Sequence, residues 1–358
     1  MTVWHVRGVF LPDEQERDAW IVDGRLTFER RSGAETLIDR GWIIPGFVDA
    51  HCHVGMSPSG HHPDHETQAA HAITNRDAGA LLLRDAGSPV DNTYVQTRDD
   101  LPRLIRAGRH IARKGRYIRG LGIDIEPEDL VATVERQAAR GDGWVKIAAD
   151  WIDREVGDLT PTFPDEELAA AIGRAHELGV RVAAHVFGED ALPGLIAAGI
   201  DSIEHGTGIT DAVIDAIAGK GIAVVPTLVN IDTFPQIALQ GEAKFPTYAA
   251  HMRALFATSR ERIRAVHEAG IPIYTGTDAG GSQPHGLVRE EIRALVGAGI
   301  PIAEVIAQAS WRGREWLGWS GLVEGAEADF VVYATDPRTT LEPMYYPQLT
   351  VLRGQPIR

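Results

Sequence analysis

The chain has one cysteine, Cys52, in 358 residues. An internal disulfide is therefore excluded, and stability has to come from packing. No apolar run approaches the roughly eighteen residues of a membrane span. Basic residues are also short, 35 Lys and Arg against 50 Asp and Glu. A net charge of −15 argues against nucleic acid and anionic membrane surfaces as partners. The first residues, Met1 to Arg7, hold no secretory apolar core. The expectation is a soluble cytoplasmic enzyme acting on a small molecule. Homo-oligomerisation is left open.

What the chain does have is a run of short apolar stretches, each ending in a chemically active residue. Ile44 to Ala50 reads as a buried strand, followed by His51-Cys52-His53. Side chains at i and i+2 share a strand face, so His51 and His53 point the same way. Two imidazoles on one face can grip one metal ion. Comparable runs end in His185, His205 and Asp278, and Lys146 lies inside a fourth. One histidine after a strand is ordinarily a satisfied structural residue. Several strand ends of this kind in one chain point to a metal site. Nitrogen and carboxylate ligands suit zinc, with other divalent first-row metals left open.

Between these runs lie helical stretches that close on glycine, as at Glu177-Leu178-Gly179 and Glu268-Ala269-Gly270. Repetition of strand, helix and glycine predicts a parallel sheet. Eight strands are expected, centred on Phe47, Leu82, Ile118, Val145, Ala183, Ile203, Val225 and Tyr274. A helix is expected near 166–178 after Pro164-Asp165. The predicted fold class is α/β, a (β/α)8 TIM barrel over residues 43–319, with active residues at the C-terminal strand ends. An open doubly wound sheet is the runner-up. Residues 1–42 and 320–358 read as short strands, with Asp23-Gly24 as a hairpin turn. Neither end is long enough to form a stable sheet alone.

These residues together resemble the amidohydrolase superfamily, in its imidazolonepropionase/prolidase-like branch. The segments carrying the likeness are Pro45-Gly46-Phe47-Val48-Asp49-Ala50-His51-Cys52-His53 and Gly276-Thr277-Asp278-Ala279-Gly280, with Lys146, His185 and His205. The resemblance implies that the two chain ends pair into a small β-sandwich beside the barrel. It also implies two divalent metal ions, with zinc expected. His51, His53 and Asp278 would hold the first and His185 and His205 the second. Lys146, carbamylated by carbon dioxide, would bridge them. Burial favours the neutral lysine amine that such chemistry needs.

The activity implied is cleavage of an amide C–N bond by a metal-bridging hydroxide. The amide could sit in a dipeptide, an N-acyl amino acid or a cyclic amide. Asp278 is the expected proton shuttle. Arg119, Asn230 and His285 are the candidate substrate contacts. Asn230-Ile231 stands where many prolidase-like relatives carry a Thr-Tyr-type pair, which counts against an ordinary Xaa-Pro dipeptidase. Arg84 and Asp85 could form an ion pair at the barrel mouth or touch substrate. The His61, His62 and His65 loop reads as a lid. Two alternatives stand: a mononuclear deaminase, for which Glu189 would be the acid, and a catalytically silent barrel.

Overall fold

The computed structural model describes residues 2–57 and 62–357. His61 of the expected lid lies outside the described residues. The core is mixed α/β, and its strands are parallel. One sheet pairs Phe47–Cys52 with Ala80–Asp85, and the latter with Arg103–Arg106. A second pairs Trp144–Ala148, Arg181–Val186, Ser202–His205 and Ala223–Val225 in that order. Asp142 N donates to Arg106 O at 2.7 Å, which joins the two sheets on one side.

Residues 271–279 join them on the other side. They form no continuous ladder of their own. Instead Tyr274 N donates to Val224 O at 3.0 Å, and Asp278 N donates to His51 O at 2.7 Å. Ala50 N donates to Thr275 O at 2.8 Å. This segment fits because Gly276 has no side chain. A Cβ there would stand 2.4 Å from Val225 Cγ1 and 2.7 Å from His51 Cβ. The carboxylate of Asp49 fastens the segment further, accepting from Thr277 Oγ1 at 2.6 Å and Thr277 N at 3.1 Å.

Two expectations need correction. The third core strand is Arg103–Arg106, not a strand at Ile118. Ile118 is 48% exposed, in a loop between Ile111–Arg113 and Ile123–Ile125. Leu104 and Ile105 are buried on opposite faces of the strand, whereas Ile118 is not buried. The apolar run from Ile44 to Ala50 is also two strands, Trp42–Pro45 and Phe47–Cys52, parted at Gly46. The first of them belongs to the terminal sheet.

That sheet has eight strands drawn from both ends of the chain. Trp4–Phe10 pairs with Gln15–Val22, which turns at Asp23 (φ 51) into Arg25–Thr27. Trp42–Pro45 lies between Trp4–Phe10 and Phe330–Tyr333. Val6, Phe10, Ile21, Ile43, Phe330 and Val351 bury its apolar face. Buried Asp329 ties it to the core, taking Arg103 Nε at 2.9 Å and facing Arg314 Nη2 at 3.5 Å.

Helices cover the core strands. Asp165–Glu177 follows Pro164 and opens on three acids, which complement its N-terminal dipole. Asp64 caps His65–Asp77 by accepting from Thr67 N. Among the described residues no helix is long and apolar enough to cross a membrane.

Candidate metal centre

His51 is the next-to-last residue of its strand and His53 follows just beyond the strand, with both rings buried. His53 donates Nδ1–H to Gly87 O at 2.7 Å, so its Nε2 carries a free lone pair. His51 Nδ1 lies 2.6 Å from Glu204 Oε2, which leaves the His51 Nε2 lone pair free in turn. Both Nε2 atoms face one oxygen, Asp278 Oδ1, at 3.2 Å from His51 and 2.9 Å from His53. Two imidazole nitrogens and a carboxylate oxygen therefore converge on one point. His51, His53 and Asp278 form a group able to hold a metal ion.

The other expected residues close around this group. Lys146 Nζ is 3.3 Å from His51 Nε2. Burial pulls the Lys146 amine down to about 8, against the opposing pull of Glu204 and Asp278. The His205 ring lies 5.0 Å from His51 and 4.7 Å from His185. His205 Nδ1 is held against Thr227 Oγ1 at 2.7 Å. His185 Nε2 is buried without a hydrogen-bond partner, 3.6 Å from Asp150 Oδ1. Burial, with Lys146 beside it, holds the His185 imidazole well below its usual value and therefore neutral. Neutral imidazoles with unpaired nitrogens are the state in which histidine ligates metal.

The backbone is strained where these groups emerge. His205 (φ 69), Thr227 (φ 50) and Asp278 (φ 57) all lie in the left-handed region. Such strain persists only where the surroundings over-determine it, and it clusters at functional sites. Gly280 passes so close to the His53 carbonyl that a Cβ would stand 2.3 Å from it.

Glu204 was not singled out from the sequence. Its carboxylate is fully buried, and Oε1 accepts from Arg84 Nη2 at 2.6 Å and Ser202 Oγ at 2.5 Å. Burial alone would raise this carboxyl. Arg84, His51 and Lys146 outweigh burial and hold it well below the usual carboxylate range. A carboxylate within a strand, next to a histidine and with an arginine on a nearby strand, was the available signal. Arg84 is thus an internal counter-ion, stacked 4.4 Å from the Trp144 ring. It does not pair with Asp85 at the mouth. Asp85 instead gathers Val54 N, Gly87 N, Ser88 Oγ and Asn92 Nδ2, which builds the loop carrying the Gly87 carbonyl. His110 was missed too. It is buried, with its ring 4.9 Å from that of His53.

The candidate substrate residues fare differently. Arg119 is exposed in the loop around Ile118 and ends no strand, since the third strand lies elsewhere. His285 stacks on His71 at 4.2 Å and meets Asn75 Nδ2 through Nδ1 at 3.1 Å. Burial pulls His285 down to about 3. Its ring thus packs the loop against the helix His65–Asp77. Asn230 is buried in the short helix Leu228–Ile231, three residues past Thr227. Glu189, the acid of the deaminase alternative, is half-exposed and bound to His251 Nε2 at 3.0 Å. Of the lid histidines, His65 starts a helix and stacks on Tyr94 at 4.3 Å.

Imidazoles and a carboxylate gathered at the C-terminal ends of parallel strands form the kind of site a metal-dependent enzyme uses. The model of the Amidohydrolase family matches residues 42–355, and the chain belongs to that family. It is an enzyme, a metal-dependent hydrolase acting on carbon–nitrogen bonds. It is 52% identical over 352 residues to an uncharacterised protein of Mycobacterium tuberculosis, covering 98% of this chain and 95% of that one. It is 28% identical over 218 residues to ochratoxinase of Aspergillus niger, covering 59% of this chain and 44% of the ochratoxinase. The crystal structure of that ochratoxinase superposes with a TM-score of 0.79, covering 99% and 95% of the two chains at 19% identity. A Xaa-Pro dipeptidase crystallised with methionine superposes with a TM-score of 0.81, covering 100% of both chains at 21% identity.

Proposed function

We propose that this protein hydrolyses an amide C–N bond in a small molecule, using two divalent metal ions, zinc first among them. The observation that carries the reading is the convergence of His51 Nε2, His53 Nε2 and Asp278 Oδ1. The eight core segments are read as a TIM barrel over residues 46–319, with 271–279 as its eighth member. Residues 1–45 and 320–358 are read as one composite β unit, since Trp42–Pro45 pairs within the terminal sheet. The acidic charge and single buried cysteine suit a cytoplasmic enzyme.

In this reading His51, His53 and Asp278 take the first ion and His185 and His205 the second. Lys146 lies against His51 and is neutralised by burial. Its amine can add carbon dioxide, forming an N–C bond and losing a proton. The resulting carbamate offers two oxygens, enough for both ions. Bound ions would acidify water and polarise the scissile carbonyl. Asp278 is 21% exposed at its side chain, so water and substrate can reach it. Its carboxylate takes the proton from the attacking water and returns it to the leaving nitrogen. Glu204 and Gly87 hold the two imidazoles in the required tautomer. Asn230 is retained as a candidate substrate contact.

The test is metal analysis of protein purified without chelator, with a hydrolysis screen over amides, lactams and lactones. About two divalent ions per chain and chelator-sensitive amide cleavage are expected. At most one ion after zinc and bicarbonate supplementation overturns the binuclear reading. Failure to cleave any amide when fully loaded overturns the activity.

A further inference from the structure

A row of aromatic rings stands against the metal centre, and the proposed chemistry does not use it. Tyr117 bridges two of the site's histidines, its ring 5.7 Å from His110 and 5.5 Å from His185. Trp151 packs edge-on to Tyr117 at 4.6 Å and lies 5.3 Å from His185. Phe187 closes the base, 4.3 Å from His185 and 4.8 Å from His205. Phe187 is buried, whereas Tyr117 and Trp151 are only half-buried. Burial pushes the Tyr117 phenol up, and the Asp278 and Asp150 carboxylates add to it, in keeping with a place beside the cluster.

The two rings come from separate insertions that are tied together. Tyr117 lies in the loop after Ile111–Arg113. Trp151 lies on the hairpin of Asp150–Asp153 and Asp158–Pro161. Arg116 donates to Asp153 Oδ2 at 2.8 Å, Trp151 O at 3.1 Å, Thr160 O at 3.2 Å and Thr160 Oγ1 at 2.6 Å. One guanidinium thus fixes the loop to the hairpin and sets the angle between the rings. Neither the Tyr117 hydroxyl nor the Trp151 indole N–H has a hydrogen-bond partner among the described residues.

We propose that Tyr117 and Trp151 form the recognition wall for a planar aromatic group attached close to the substrate's amide. This rests on the hydrolase reading for the position of the amide. Aromatic pairs prefer centroid separations of about 4.5–7 Å in offset or edge-on geometry. The wall stands about one such spacing from His185, so an aryl or benzyl group one or two bonds from the carbonyl reaches it. Arg116 is a positioning residue, since it acts through the two rings.

The test uses two amides of one amine, N-phenylacetyl and N-acetyl, with the zinc-loaded full chain. Both hydrolysis and binding by equilibrium dialysis are measured. The phenylacetyl amide should bind at least about tenfold more tightly, and Trp151→Leu or Tyr117→Leu should each remove most of that preference, chiefly through KM. Tyr117→Phe should keep it. Equal binding of the two amides by wild type overturns the wall, as does a loss in the leucine variants that falls equally on both. Preferential binding of the phenylacetyl amide with cleavage of neither supports the wall and overturns the hydrolase reading. Cleavage of both with equal kcat/KM overturns the wall and keeps that reading.

Discussion

Glu204 Oε2 lies 2.6 Å from His51 Nδ1, while its other oxygen is held by Arg84 at 2.6 Å. One buried carboxylate therefore orients a metal-facing imidazole and neutralises an internal guanidinium. Glu204→Gln should act on both. The unpaired Arg84 should destabilise the fold by about 3–5 kcal/mol, the usual consequence of breaking a buried ion pair from one side. Zinc affinity should fall by roughly 10–100-fold, as for other outer partners of histidine ligands. Denaturant titration and zinc competition check the two effects separately. Unchanged zinc affinity would show that Glu204 serves Arg84 alone.

Lys146→Ala should lose most activity and one of the two ions. Short carboxylic acids should restore part of both by supplying the missing oxygens. Isotope-labelled bicarbonate should give a carbamate signal by NMR in wild type and none in the variant. A fully active Lys146→Ala protein would rule out the carbamate.

Asp278→Asn should keep much of its metal, because the amide oxygen still coordinates. It should lose turnover by roughly 10²–10⁴-fold, the range for general acid–base groups. Metal content measured beside kcat tests this. Normal metal with near wild-type turnover would remove Asp278 from proton transfer.

Glu291 predicts a pH dependence of stability, next to the Thr227 that contacts His205. Its buried carboxylate caps the helix Leu228–Ile231, accepting from Leu228 N and Val229 N, both at 2.9 Å. Burial pushes the carboxyl up from 4.5 to about 8 despite those bonds. Across that window the folded chain holds a proton that the unfolded chain releases, so stability falls as pH rises from 4.5 to about 8. Glu291→Gln cannot titrate and should flatten that part of the profile. Denaturant midpoints of both proteins across the window measure the difference. Identical slopes would place the Glu291 carboxyl near its ordinary value.

The strand-end histidines and Asp278 stood out in the sequence because each follows a short apolar run, where a polar residue has no packing reason to stand. The third strand was not. Arg103-Leu104-Ile105-Arg106 is short and charged at both ends, and Arg116-Tyr117-Ile118-Arg119 has a comparable pattern. Only burial of Leu104 and Ile105, against exposed Ile118, separates them. Arg119 was misplaced by the same ambiguity. Glu204 and Arg84 lie 120 positions apart, and their pairing depends on strand order, which local pattern does not encode. Tyr117 sits in a loop and Trp151 on an inserted hairpin, and their ring contact joins two segments that local periodicity does not relate.

His53 and Asp278 are separated by 225 positions, and the second is carried by a segment held only through bonds to its flanks. During synthesis both histidines leave the ribosome long before their carboxylate partner exists. The first ligand set is complete only once Asp278 has emerged and residues 271–279 have seated between Val224 and His51. A chain cut short before that segment would carry both imidazoles and Lys146, yet have no finished centre.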